Sequence, residues 1–295
     1  MTYSVISKAF ELTKIPICRR IAEVRSKERQ KALEEIIYCF IVHKFLDKEI
    51  SMIPTIPPSP DPAIPVDAWP NQEQKLESVH SPEAFEMIQS HLSLVLGERL
   101  VGPLSTVIRI SKLRLGKLYA ASIMYGYFLK RVDQRFQLER SMKTLPADEG
   151  PAVFESSAPG NQLWDMDSLI QISTDEEDGS GDVNANRASS SSSSRDGRSY
   201  KLRSYVMYLD AETLQRYATI RSKEAMSLIE KQTQALFGRP DIKVAEDGSL
   251  DTSNDEVVGI TFAGLTMLVL EAVAFGSFLW DAEDYVESRY HFVRN

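Results

Sequence analysis

The sequence is poor in cysteine, has no excess of basic residues and does not begin with a long apolar stretch. Its 295 residues include two cysteines, Cys18 and Cys39, which excludes a disulfide scaffold and a four-cysteine metal site. The 34 basic residues are outnumbered by 42 acidic ones, so no nucleic-acid partner is expected. The N-terminus lacks the continuous apolar stretch of a secretory signal. With 43% hydrophobic residues, the chain nevertheless has enough apolar surface to bury a core.

Motifs that carry chemistry are missing as well. The sequence has no phosphate-cradling glycine loop between a strand and a helix, no Gly-x-Ser-x-Gly elbow and no His-Glu-x-x-His pair. We therefore predict no catalytic residue, no resident metal and no cofactor, and the sequence leans away from an enzyme.

Two segments interrupt the helical pattern. Residues 51–70 hold seven of the fourteen prolines, and proline lacks the donor that helices need, so an extended connector is predicted there. Residues 145–198 include a run of four acids and six consecutive serines. They have too little apolar surface to offset the entropy of ordering, and we predict a disordered linker. Its net charge of −8 equals that of the whole chain, so the rest is neutral.

One island in this linker differs from its surroundings. Residues 162–172, QLWDMDSLIQI, alternate acids with large apolar groups. Such a segment either binds a groove on a protein partner, folds back onto its own domain, or is a locally collapsed piece of linker.

The remaining sequence is helical in pattern. Residues 20–48 place apolar residues at helical spacing (Ile21, Val24, Ala32, Ile36, Ile37, Phe40, Ile41, Phe45) and assign Glu34 to the solvated face. Ser81-Pro82-Glu83 predicts a helix start and Gly97 its end, while Asp210 predicts another start. A β-hairpin is predicted at about 241–262, with residues 241–244 and 257–262 as strands around a Glu-Asp-Gly turn.

The chain also resembles itself. Residues 81–88 align with residues 222–229 at an offset of 141, and both helices close on a glycine, Gly97 and Gly238. Residues 110–129 align with residues 260–279 at an offset of 150, which pairs Gly126 with Gly276. The extra length falls at the predicted hairpin. We interpret this pattern as an internal duplication.

The duplication bears on an apolar segment. Residues 262–280 are long enough to span a membrane and contain one charge, Glu271. The matching helix of the first half carries four basic residues and cannot span: Lys112, Arg114, Lys117 and Lys130. No transmembrane segment is therefore expected.

Several stretches resemble a known family. They are residues 205–222, 276–281 and 288–292 in the second half, and residues 20–24 and 125–138 in the first. Together they resemble the plant UV-B-induced chloroplast protein family, classed as domain of unknown function 760, from about Cys18 to Asn295. The resemblance implies a plastid protein linked to ultraviolet-B response, with no established site residues. Members carry a transit peptide and a helical stretch that the seventeen residues before Cys18 do not resemble, so a truncated gene model, an alternative start or a fragment is expected.

Three residue sets are candidates for a site. The acids and histidine near the C-terminus suit a metal or proton exchange if they share a helix face, although a solvated helix end with surface pairs is the favoured interpretation: Asp281, Glu283, Asp284, Glu287 and His291. The second set, the basic row, is typical either of a phosphate-binding site or of the charged surface at an ordinary helix start: Arg109, Lys112, Arg114 and Lys117. An aromatic set suits a pigment pocket or a plain core: Tyr119, Tyr125, Tyr127, Phe128, Phe275, Phe278 and Trp280.

The sequence thus predicts a mainly α protein of two related helical units packed together. The first unit spans residues 18–144, the disordered acidic linker 145–198, and the second unit, with its hairpin, 199–295. The favoured function is a non-enzymatic stress-associated interaction protein of the plastid, with residues 162–172 as the partner-binding segment. The alternatives are a binding protein for an apolar or aromatic small molecule between the central helices and, third, a metal-dependent enzyme.

Overall fold

A computed structural model describes residues 2–57, 64–97, 103–145, 201–239, 243–244, 250–251 and 255–290. The predicted mainly helical fold is confirmed in this part of the chain. Of the predicted linker, only Leu145 is described, and the island at 162–172 lies outside the described residues. The described residues on either side of residues 58–63, within the proline-rich stretch 51–70, form neither a helix nor a named strand.

The described residues form eight helices and four short strands. Those of the first half are α1 (Thr2–Asp47), α2 (Glu73–Glu77), α3 (Pro82–Leu96), β1 (Val107–Ser111) and α4 (Lys112–Ser141). Those of the second half are α5 (Leu202–Tyr208), α6 (Ala211–Ala218), α7 (Lys223–Phe237), β2 (Lys243–Val244), β3 (Leu250–Asp251), β4 (Val257–Thr261) and α8 (Phe262–Glu287).

The predicted helix boundaries at α3, α6 and α7 follow from their caps. The side-chain oxygen of Ser81 accepts from the Ala84 N–H at the start of α3, and that of Asp210 accepts from the Thr213 N–H at the start of α6. Helix α3 ends at Gly97 and α7 at Gly238, whose φ angles of 65° and 80° lie in the region that glycine tolerates best. The predicted boundaries are confirmed at these positions.

The prediction of a hairpin in this region is right, but one of its two strands was wrongly assigned. Strand β2 pairs antiparallel with β3, and each strand of this hairpin has two residues. Strand β4, predicted to close that hairpin, instead pairs antiparallel with β1 of the first half, with Arg109 opposite Gly259 at the centre. The reason is that the β-branched run 257–261 gains a five-residue ladder with β1, which a local turn signal in the sequence cannot reveal.

Helices α4 and α8 form the centre of the fold and touch through their glycines. A Cβ on Gly126 would collide with the Val273 carbonyl oxygen, and a Cβ on Gly276 would collide with the Ile123 carbonyl oxygen. Both pairs are related by the offset of 150 residues, so each half presents the same glycine to the same carbonyl position of the other. The duplication stays a proposal, which these reciprocal contacts support.

Around this contact the two halves share one core. Large buried side chains from both halves join it, among them Phe45, Tyr119 and Phe136 from the first half and Leu228, Leu268 and Phe275 from the second. Strands β1 and β4 add backbone hydrogen bonds between the halves, and just beyond their ends the Lys112 N–H donates to the Glu256 carbonyl at 2.8 Å. The halves therefore bury their apolar faces against each other.

Helix α8 is, within the described ranges, the one helix long and apolar enough to cross a membrane. In this fold 89% of its most apolar 18-residue stretch is buried inside the protein. Length and apolar composition alone do not distinguish a spanning helix from the central helix of a packed core.

Candidate functional site

Two tyrosine–glutamate pairs lie in the interface between α4 and α8. The Tyr119 hydroxyl donates to Glu271 at 2.7 Å, and both side chains are buried. Burial raises the pKa of Glu271 to about 7, while the hydrogen bond from Tyr119 acts in the opposite direction. The pKa of Tyr119 is raised well above its usual value by burial and by the nearby Glu271 carboxylate. This pair therefore holds a carboxyl group that titrates near neutrality, out of reach of solvent.

The second pair joins Tyr127 to Glu283. The Tyr127 hydroxyl donates to Glu283 at 2.5 Å, and the glutamate side chain is fully buried. The other oxygen of Glu283 has no hydrogen-bond partner. Burial, with the neighbouring Glu283, raises the pKa of the Tyr127 phenol. Tyr127 is therefore the contact that compensates for placing this carboxylate in the core.

We expect Tyr127→Phe to lower the free energy of unfolding by about 2 kcal/mol, because Glu283 then loses its hydroxyl donor inside the core. Urea denaturation of purified protein measures the change. The matched control is Tyr290→Phe, at an exposed tyrosine, which should stay within about 0.5 kcal/mol of the wild type. An equal loss in both variants would contradict a special role for the Tyr127 contact.

The predicted acidic cluster does not assemble into one site. Asp281 accepts from Gln134 at 3.1 Å and lies 3.8 Å from Lys130. Asp284 and Glu287 both pair with Arg221, whereas Glu283 points into the core. His291 lies outside the described residues. Because the described carboxylates are turned toward cations, an amide and a tyrosine of the same fold rather than toward one another, they form no metal-binding group among the described residues.

The aromatic set fills the space in which an apolar ligand was predicted. Its members are buried except for the half-buried Tyr125, whose ring stacks on His91 at 4.4 Å between centroids. The guanidinium groups of Arg131 and Arg221 lie over the Trp280 ring, 5.0 and 4.7 Å from its centroid, and the ring makes a T-shaped contact with Tyr127. Since the glycines bring α4 and α8 into backbone contact and the rings are buried beside it, the described part of this interface is occupied by the protein's own side chains.

The basic row is dispersed over a strand and a helix start. Lys112 pairs with Glu256 at 2.6 Å, while Arg109, Arg114 and Lys117 are exposed along β1 and the first turns of α4. They do not surround a common cavity in the described part of the chain. This arrangement matches the ordinary reading of the row as the charged surface of a helix start.

The predicted faces of α1 need correction at several positions. Ile21 and Val24 are exposed by 51% and 44%, and with Ile17, exposed by 59%, they form an apolar stripe at helical spacing. Glu34, predicted to be solvated, is buried and pairs with Lys231 of α7. Between residue 17 and Leu33 the side chains of α1 are exposed or half-buried, and buried positions begin at Leu33, where α7 and α8 pack against the helix. The periodicity of apolar residues identified a face of the helix but could not show which part of that face the rest of the protein covers.

With the arrangement of both halves known, the chain can be compared with other proteins. Residues 17–142 match the model of a family described as a protein of unknown function, DUF760. This chain carries a DUF760 region. The resemblance drawn from residues 20–24 and 125–138 is thereby confirmed, and the DUF760 region runs from residue 17, within α1, to the end of α4.

A relative extends the match into the second half. The chain is 52% identical, over 287 residues, to a UV-B-induced chloroplastic protein of Arabidopsis thaliana. The alignment covers 96% of this chain and 66% of the relative, so the chain spans about two thirds of the longer protein. No solved structure matches the chain.

Proposed function

We propose that this protein is a non-enzymatic interaction protein of the plastid, associated with the response to UV-B. The plastid location and the UV-B association are supported by the relative, which is chloroplastic and UV-B-induced by name. The absence of an enzyme function stays a prediction. It is supported by the way in which the described candidate carboxylates are paired with tyrosine, lysine or arginine of the same fold.

The observation that carries the interaction role is the apolar stripe of α1. Ile17, Ile21 and Val24 lie on one side of the helix and are exposed, whereas the buried Leu33 lies on the opposite side. Aligned exposed aliphatic side chains are typical of a surface that another protein covers. The acidic and apolar segment at 162–172 is the second proposed contact, because its composition suits a helix that binds in a groove.

The test is chemical cross-linking followed by affinity capture from plastids with and without UV-B exposure, using the full chain as bait. We expect a specific plastid protein to be recovered, and its yield to fall about tenfold with Ile21→Glu, since a charge in the stripe opposes burial. A variant with Leu163, Trp164 and Met166 replaced by serine should lower the yield as well.

Two controls separate these surfaces from general stickiness. Leu46→Glu changes an exposed leucine of α1 that lies outside the stripe, and it should leave the yield unchanged. Replacing the acids of residues 175–178 by asparagine tests whether linker charge alone is enough. Recovery of the same proteins by wild type, Ile21→Glu and the serine variant would argue against this function.

A further inference from the structure

A pocket of about 220 Å³ lies between α3, α4 and α5, and neither the sequence patterns nor the proposed partner surface accounts for it. Helix α4 contributes Ala121 and Tyr125, four positions apart, and α5 contributes Arg203. The lining residues of α3 are three or four positions apart and therefore share one face of that helix: Met87, Ser90, His91 and Leu94. This described lining includes no residue of α8 or of the apolar stripe of α1, so the pocket is separate from both.

The second half of the chain has longer side chains at the matching positions. Ala121 matches Glu271 of α8 at the offset of 150 residues, and His91 matches Gln232 of α7 at the offset of 141. Both Glu271 and Gln232 are buried, and both form hydrogen bonds with the Tyr119 hydroxyl, at 2.7 and 3.4 Å. The second half thus occupies this position with its own hydrogen-bonded side chains, whereas the single methyl group of Ala121 leaves space in the first half.

Most polar groups of the lining are already satisfied within the fold. The Tyr125 hydroxyl donates to the Met87 carbonyl at 3.1 Å, and the Ser90 hydroxyl donates to the Glu86 carbonyl at 3.2 Å. Burial lowers the pKa of His91 to about 4, so its ring is neutral at physiological pH and adds no charge. The surface that these residues offer to a ligand is therefore mainly apolar and aromatic.

Arg203 supplies the one charge of the described lining. Its side chain is exposed and forms no hydrogen bond or ion pair with another described residue. Lys201, two residues earlier, differs in this respect, because it pairs with Glu86 at 2.9 Å. A cation without a partner beside an apolar pocket suits a ligand that has an apolar body and one anionic group.

We propose that this pocket binds an aromatic monocarboxylate of one ring or two fused rings, with its ring against Met87 and Tyr125 and its carboxylate on Arg203. The size fits, because an apolar cavity of about 150 Å³ holds one benzene molecule and this pocket is larger. An aromatic body is favoured because the lining includes the stacked rings of Tyr125 and His91 and a methionine, whose sulfur packs well against rings. One carboxylate matches the single cation, whereas a second would lie among apolar side chains without a partner.

Isothermal titration of the full chain tests the pocket with three probes: 2-naphthoate, its neutral analogue 2-naphthamide, and acetate, which has the charge but no ring. We expect saturable binding of 2-naphthoate, about fivefold weaker binding of 2-naphthamide, which is the loss typical of an exposed ion pair, and no measurable binding of acetate. No saturable binding of 2-naphthoate at millimolar concentrations would overturn the proposal. Equal affinities for 2-naphthoate and either of the other two probes would overturn it as well.

Two variants at the proposed carboxylate contact assign the charge. Arg203→Gln changes an exposed side chain, so we expect a folded protein that binds 2-naphthoate about fivefold more weakly and 2-naphthamide as before. Lys201→Gln is the matched control, because it removes the same charge two residues away and outside the described lining, and it should affect neither ligand. An equal loss of 2-naphthoate affinity in both variants would overturn the assignment to Arg203.

A third variant tests the location. Ala121→Leu fills the pocket from α4 and should abolish binding of both naphthalene ligands. Circular dichroism checks that each variant is folded. Unchanged 2-naphthoate affinity in folded Ala121→Leu protein would overturn the proposed site, and the two charge variants test it independently of any effect of the larger side chain on packing.

Discussion

Gly126→Ala is expected to lower the free energy of unfolding by about 3 kcal/mol or more, although it adds a single methyl group. The new Cβ would meet the Val273 carbonyl, which belongs to the backbone of α8 and cannot rotate away as a side chain can. To relieve the overlap, the central helices must separate, and every side chain packed around their contact loses part of its packing. Gly276→Ala should have a similar effect through the Ile123 carbonyl.

Gly116→Ala is the matched control for this prediction. Gly116 lies in the same helix, α4, but a Cβ there would be 3.5 Å from the Phe237 ring, an ordinary contact. Alanine is also a better helix former, so this variant should gain about 0.5–1 kcal/mol. Urea denaturation of the three variants measures the differences. A Gly126→Ala protein as stable as the Gly116→Ala protein would show that the central helices do not approach each other this closely.

Glu271→Gln is expected to remove a pH dependence of stability that the wild type shows below neutrality. The pKa of Glu271 is about 7 in the folded protein and 4.5 by the reference value for an exposed glutamate. Between these values the folded protein keeps a proton that the unfolded chain releases, so raising the pH favours unfolding. The associated loss of stability accumulates from about pH 4.5 to about pH 7, amounts to about 3 kcal/mol, and is constant above that range.

The measurement is the free energy of unfolding of wild type and variant at several pH values, taken as a difference so that the other titrating groups cancel. We expect this difference to change by about 3 kcal/mol across the interval, in favour of the glutamine variant at higher pH. Glu212→Gln, at a side chain that is 83% exposed, is the control and should give a flat difference. A flat difference for Glu271→Gln too would mean that folding leaves the pKa of this carboxyl group unchanged.

What could be predicted from the sequence depended on local chemistry. The capping residues Ser81 and Asp210 accept hydrogen bonds from amides three residues away, so a few neighbouring residues are enough to predict their effect. Repetition made Gly126 and Gly276 recognisable as related positions, although only the structure shows that each touches the other helix.

What could not be predicted depended on distant partners. The pairing of β4 with β1 brings together residues about 150 positions apart, and no short-range signal specifies it. Glu34 and Glu224 are charged residues of the kind that usually faces solvent on a helix, yet each is buried because another helix lies over it.

The two-stranded sheet of β1 and β4 has a consequence for how this chain folds. Its two strands belong to different halves, and so do the helices that follow them. The DUF760 region, residues 17–142, therefore ends where its own apolar surface still lacks a cover. It is one part of a cooperative folding unit, and during synthesis α4 must wait until α8 has left the ribosome. Contacts of such sequence separation are typical of slow folding, a period in which the apolar side of α4 is exposed.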